Sequence, residues 1–173
     1  MKKILLLGIF SMIQSADGNT FKIYSKDFSH NKNIPTKFSV KGGNAIPHIA
    51  WEHVPKNTKS LVLIVDDPDA PKPNTPWVHW LVYNIPATRN NLEYISGNQS
   101  RMEDGTTQGI NSDDNTGYDG PNPPSGKVHH YHFKLYALDM IRSLKLGLTK
   151  QELMNAMKGH ILGQATLTGL YKQ

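Results

Sequence analysis

The chain has 173 residues, 38% of them hydrophobic and 19% charged, with a formal net charge of +5. That length fits one domain and the apolar content is enough for a core. With no cysteine, disulfides, iron–sulfur clusters, zinc–thiolate sites and thiol nucleophiles are excluded. The 19 Lys and Arg residues are scattered, without runs or interleaved aromatics, a pattern that argues against a nucleic-acid partner.

At the N-terminus, Met1-Lys2-Lys3 precedes the apolar stretch Ile4 to Ile13, followed by Gln14-Ser15-Ala16. This is the layout of a secretory signal over residues 1–16, leaving 17–173 as a single folded domain. Its roughly ten apolar residues are too few to span a bilayer, which takes about 20, so no stable membrane insertion is expected. Export to a periplasm or to the medium is the expectation; an uncleaved segment would leave the protein cytoplasmic. Cleavage removes Lys2 and Lys3, leaving 17 Lys+Arg against 14 Asp+Glu, a balance of +3.

Further along, Leu61 to Val65 is a continuous β-rich apolar run that stops at Asp66-Asp67-Pro68, the mark of a strand buried on both faces. Val78 to Ile85 predicts a second strand. Strict alternation puts His79, Leu81, Tyr83 and Ile85 on one face and Val78, Trp80 and Val82 on the other. The polar stretch from Thr88 to Val128 is long for an idle connection. His129 to Leu138 predicts a third strand, with His129, Tyr131, Phe133, Leu135 and Ala137 facing inward and His130, His132 and Lys134 outward. Thr149 and Glu152 fit a capping box, with Leu153, Ala156 and Met157 at helical spacing before Gly159. Ala165 to Tyr171 predicts a closing strand. Several strands, many turns and one late helix imply a mainly β fold: an antiparallel sandwich of Greek-key type with helical decoration.

Seven of the 11 prolines sit in two loops. Asp66 to Trp77 carries Pro68, Pro71, Pro73 and Pro76 and leads into the strand bearing His79. Gly117 to Gly126 carries Pro121, Pro123 and Pro124 and leads into His129. Proline fixes φ and removes backbone donors, so both loops are stiff and outside any ladder. Each delivers a His near a strand start, and such a pair suits a small pre-organised anion pocket. A carboxylate such as Asp67 can orient an imidazole and Tyr131 can add a phenolic donor. The plainer alternatives are Asp-Pro turns at strand ends for Asp67 and Asp69, and core histidines for His79 and His129. His130 and His132, at i and i+2, have no companions that would complete a metal site, and no G-x-S-x-G, Walker or GxGxxG pattern occurs.

At these loops the sequence resembles the phosphatidylethanolamine-binding protein (PEBP) family, in particular its bacterial branch described as Raf-kinase-inhibitor-like. The resembling segments are Asp67-Pro68-Asp69-Ala70-Pro71, Trp77-Val78-His79-Trp80, and Gly117 through Gly126 continuing into His129 to Asp139. Upstream, Gly43 to Trp51 and Val54 to Ser60 also resemble the family, so the likeness covers roughly Phe21 to the C-terminus. The resemblance implies a large antiparallel sheet packed on a smaller one with a few peripheral helices. It implies a ligand pocket at Asp67, His79, Pro124, His129 and Tyr131, with Asp69, Trp77 and Gly120 in support. The family's usual Arg after the second pocket His is His130 here, on the outward side of its strand.

The resulting expectation is a non-enzymatic protein that needs no cofactor and no metal. It would bind a small anion such as phosphate, phosphorylethanolamine or a carboxylate. A module that inhibits a protease or kinase or modulates signalling is the alternative, with a metal-assisted or acid–base hydrolase behind it. A protein partner is unidentified at this stage, and a homodimer is expected by analogy with bacterial relatives.

Overall fold

The computed structural model describes residues 20–71, 73, 76–140 and 143–173; the signal-like segment 1–16 lies outside the described residues. In chain order the elements are β1 (Lys22–Tyr24), β2 (Lys32–Asn33), β3 (Ala50–Glu52), β4 (Ser60–Asp67) and β5 (Trp77–Pro86). They continue with β6 (Thr107–Gln108), β7 (His129–Leu138), α1 (Lys150–Met157) and β8 (Ile161–Tyr171). Six strands form one sheet in the order β2-β8-β7-β4-β5-β6, while β1 and β3 form a separate antiparallel pair. Within the large sheet only β2 runs parallel to its neighbour, β8.

β4 lies inside the sheet between β5 and β7, and all eight of its residues are buried, as an apolar run without polar alternation requires. Leu61, Leu63 and Val65 point to one side, where Phe133, Leu135, Trp80 and Val82 meet Ile23 of β1 and Trp51 of β3. Val62 and Ile64 point to the other, packing with Leu81, Tyr83 and Tyr136 against Leu153 and Met157 of α1. The architecture is therefore mainly β, with a large sheet covered by a small one on one face and by a helix on the other. Among the described residues no helix is long and apolar enough to cross a membrane.

β7 follows its expected alternation: Tyr131, Phe133, Leu135 and Ala137 all enter the core between the sheets. β8 starts earlier than expected, at Ile161. α1 carries the capping box: Thr149 Oγ1 accepts from the Glu152 amide, and Glu152 Oε2 accepts from the Thr149 amide at 2.9 Å. The connection from Thr88 to Val128 packs as part of the core, contributing Leu92, Ile95, Met102 and Tyr118. It is fixed by the fully buried Gln108, which accepts from Trp80 Nε1 at 2.6 Å and donates to the Gln99 carbonyl at 2.8 Å.

Strict alternation fails on β5. Val65 pairs with Trp80 but Asp66 pairs with Val78, so His79 is an extra residue; a second extra residue falls between the pairs Leu63↔Val82 and Leu61↔Ile85. At the second bulge Asn84 adopts a φ of 54°. A bulge turns neighbouring side chains toward the same face. His79 therefore meets Tyr131 on the side that Trp80 also occupies, while Leu81 and Tyr83 face the helix. Ile85 returns to the core between the sheets. The expected grouping of His79 with Leu81, Tyr83 and Ile85 is thus corrected by the two bulges.

The first strand also runs on past the expected stop at Asp66. Asp66 is fully buried on the helix side and accepts from Lys134 Nζ at 2.7 Å and from Lys150 Nζ at 2.5 Å. Lys134, on the outward face of β7 as expected, spans to this carboxylate, and Lys150 ties α1 to the sheet. Both lysines are about a quarter exposed and Asp66 is not exposed at all. The costly defect is therefore a stranded carboxylate, since each ammonium can still reach water. Replacing both lysines (K134M with K150M) is expected to cost about 3–5 kcal/mol, and Asp66→Asn less, about 1–3 kcal/mol. Urea unfolding of the two variants checks the order; a larger loss in Asp66→Asn contradicts it. Thr149→Ala, which removes the cap alone, should cost about 1 kcal/mol in the same assay.

Candidate functional site

The site forms where β4 ends and β5 and β7 begin. Asp67, the last residue of β4, is 3% exposed. Its Oδ1 accepts from the Asp69 amide at 2.8 Å, the hydrogen bond of an Asx turn. Its Oδ2 accepts from His129 Nδ1 at 2.7 Å. Asp67 therefore both shapes the turn that ends its strand and orients the imidazole at the start of β7.

His79 is fixed differently. Its Nδ1 donates to the Asp119 carbonyl at 2.8 Å, and the Asp119 amide donates to the His79 carbonyl at 2.9 Å. The ring stands edge-on to Tyr131, with centroids 5.1 Å apart and planes at 69°. Next to it, the Val78 amide donates to Ser112 Oγ at 2.8 Å and the Ser112 amide to the Val78 carbonyl at 2.9 Å. Two consecutive residues of β5 thus hold two separate points of the long connection, and Asp113 comes to lie beside Asp119.

The second proline-rich loop is seated from below. Tyr118 Oη donates to the Phe38 carbonyl at 2.9 Å, and its ring meets Trp80 edge-on at 5.5 Å. The Gly120 amide donates to Asn44 Oδ1 at 2.7 Å. A Cβ at Gly120 would stand 2.1 Å from the Phe38 carbonyl oxygen, so only glycine fits where the loop crosses that backbone.

Together these elements enclose a cavity of 320 Å³. Asp67, Trp77, His79, Gly120, Pro124, His129 and Tyr131, all named from sequence, line it. Asp69 does not: its Oδ2 turns outward and accepts from the His130 amide at 2.9 Å and from His130 Nδ1 at 2.7 Å. It stands beside the cavity, outside its lining, and bears on it through its amide bond to Asp67. His130 is exposed and His132 Nδ1 lies 3.0 Å from Thr168 Oγ1. Among the described residues no group of three or more His, Asp or Glu is placed to hold a metal ion.

Sequence reasoning missed Asp113 and Asp119 in the lining. Asp119 lies inside the loop already singled out, but only the two-way bond to His79 shows that it belongs to the wall. Asp113 sits in a polar stretch with no periodicity, and nothing local marks it.

Electrostatics within the cavity are uneven. Burial lowers the basicity of His79, and the Asp119 carbonyl and the charges of Asp67, Asp113 and Asp66 only partly offset this. Burial, reinforced by the neighbouring Asp113 carboxyl, pushes the Asp119 carboxyl up to about 7. The Tyr131 phenol is pushed far up by burial and by the negative charge of Asp67, so it remains a donor. At 1% exposure its hydroxyl is buried, with the Asp67 carboxyl as a close neighbour but no hydrogen bond of good geometry among the described residues. A buried hydroxyl left unpaired costs about 1–3 kcal/mol, so this phenol is available to donate to an acceptor that enters the cavity.

Comparisons with known proteins identify the family and the fold. The sequence pattern of the phosphatidylethanolamine-binding protein family matches residues 24–172. A UPF0098 protein of Methanothermobacter thermautotrophicus is 44% identical over 84% of this chain and 95% of its own. One of Aquifex aeolicus is 42% identical over 92% of each. Among solved structures, a PEBP homolog of Chlamydia trachomatis superposes with a TM-score of 0.79 at 38% identity, covering 90% of this chain and 99% of that one. E. coli YbcL, described as a new member of the mammalian PEBP family, gives 0.81 at 30% identity, covering 88% and 98%. By fold, by sequence pattern and by the motifs around its cavity, the chain belongs to the phosphatidylethanolamine-binding protein family.

Proposed function

We propose that this protein binds a small anion in the cavity between β4, β5 and β7, holding it without transforming it. Phosphate, the phosphorylethanolamine headgroup and a carboxylate are the ligand class. The family's description names phosphatidylethanolamine, and a cavity of 320 Å³ suits a headgroup better than acyl chains.

The observation that carries this reading is the buried Tyr131 hydroxyl, which lines one cavity with two imidazoles that are each anchored through Nδ1. Anchoring at Nδ1 leaves Nε2 of each ring for a ligand. Trp77 and Pro124 supply rigid walls, so little conformational freedom is lost on binding. In this reading Tyr131 donates to an anion oxygen and His79 and His129 contact it through Nε2. Asp67 positions His129.

Inorganic phosphate at about 100 times its dissociation constant should add about 2.7 kcal/mol to stability, visible as a raised Tm. His79→Ala and His129→Ala are expected to abolish that shift, and a full shift in both would remove the histidines from the site. Tyr131→Phe gives a sharper test because the ring and the packing stay. Affinity should fall about 5–30-fold, while the ligand-free protein keeps its fold because the ring and its packing are unchanged. Unchanged phosphate affinity in Tyr131→Phe would overturn the assignment.

A further inference from the structure

The large sheet ends differently at its two margins. On the β5 side the long connection occupies the margin, whereas on the far side β2 covers only Gly169 and Leu170 of the 11-residue β8. The Thr168 amide donates to His30 Nδ1 at 3.2 Å, and the Thr168 carbonyl accepts from the Asn31 amide at 2.7 Å. These bonds fix the parity of the strand, because they show the backbone groups of Thr168 facing away from β7. Pairing with β7 is regular from Gly163 to Tyr171, so Thr166 and Gln164 turn their amides and carbonyls outward as well. No hydrogen bond from any described residue reaches those outward groups.

An open edge is normally guarded by lysine, proline or a covering loop. From Ile161 to Tyr171, β8 has no charged residue and no proline. Its one irregularity is the extra residue Leu162, between the pairs Ala137↔Gly163 and Leu138↔Ile161. That bulge bounds the open window at one end, and His30 with Asn31 bounds it at the other. Ala165 and Leu167 enter the core between the sheets, while Gln164 and Thr166 lie exposed on the opposite face. Gln164 Nε2 donates to Thr166 Oγ1 at 3.2 Å, which lays both side chains along the strand and leaves its edge clear.

We propose that two copies of this chain join through this window, antiparallel about a two-fold axis at Ala165, fusing their large sheets. The window is complementary to itself. In that register Gln164 and the partner's Thr166 exchange a reciprocal pair of backbone hydrogen bonds, and the symmetry-related residues exchange another. Leu162, 40% exposed, comes opposite the partner's Thr168, so the bulged end of each window meets the guarded end of the other. Neutrality of the strand matters because each copy is net positive: along this edge two backbones meet with no like charges directly opposed. The contact is small, so the dimer is weak, with a dissociation constant of about 0.1 mM. The cavity plays no part in it, and the anion-pocket reading stands or falls separately.

The test is sedimentation equilibrium of the full chain from about 10 µM to about 1 mM, with amide hydrogen exchange read by NMR over the same range. Dimer should be the major species at the top of the range. Exchange at Gln164 and Thr166 should slow about fivefold with rising concentration, while Ala165 and Leu167, whose amides already face β7, hold steady. Gln164→Glu with Thr166→Glu opposes like charges across the axis and should give a folded monomer, and Gln164→Lys with Thr166→Lys should do the same. Mixed together, the two variants should associate, since each introduced carboxylate then faces an ammonium. Such rescue cannot come from a fold defect, and a backbone amide spectrum checks each variant alone. A natural chain that stays monomeric at about 1 mM overturns the inference. So does a dimer that persists in the folded first variant, which puts the contact on another surface, or a mixture of folded variants that fails to associate. Slow exchange at Gln164 and Thr166 at the lowest concentration overturns it too, because the edge is then covered within one copy.

Discussion

Two consecutive carboxylates at the end of a completely buried strand organise the molecule. β4 has no exposed residue, so neither Asp66 nor Asp67 can be left to water, and each must find a partner brought in from elsewhere. Strand geometry sends neighbouring side chains to opposite faces. Asp66 recruits Lys134 and Lys150 and so fastens the helix layer to the sheet. Asp67 recruits His129 and so places an imidazole at the mouth of the sandwich. A single dipeptide thus couples the assembly of one face to the chemistry of the other.

The cavity depends equally on an irregularity. Without the extra residue at His79, the strand would carry that ring to the helix side, out of reach of Tyr131. The bulge keeps His79 and Trp80 on the same side, and the edge it disturbs is repaired by hydrogen bonds from Ser112 and Asp119. The repair brings two carboxyl groups to a wall that already holds a third. Bulges at the margins of sheets commonly re-aim a side chain at a site, and here the same feature sets the charge of the wall.

Much of this was legible in the sequence wherever a period or a motif carried it. The alternation from Tyr131 to Ala137, the unbroken run from Leu61 to Val65 and the capping box at Thr149 each follow from local rules and are present in the fold. The two-residue strands β2 and β6 were not legible, because two residues show no period; their pairing is imposed by the neighbours they meet. The face of His79 was misread because alternation assumes one residue per step, and a bulge leaves no local mark. In the site, seven of the eight residues named from sequence line the cavity. They sit in strands and stiff loops whose ends converge. Asp69 fell outside because its turn points it at the backbone of His130, and Asp113 and Asp119 joined through contacts far apart in sequence. Long-range placement of polar loop residues is set by what they bond, and composition does not reveal it.

The outer margin of β5 is occupied from Val78 to Tyr83. Gln108 and Thr107 pair with Val82 and Tyr83, the Gly109 amide bonds the Leu81 carbonyl, and Ser112 and Asp119 occupy Val78 and His79. Among the described residues these positions are taken before an incoming chain could pair with them. A polypeptide approaching the cavity from this side is thereby denied β-augmentation, the commonest way for an extended peptide to dock on a sheet. Recognition beside His79 must work through side chains and rigid loop surface, which makes it a matter of shape and charge at a fixed rim.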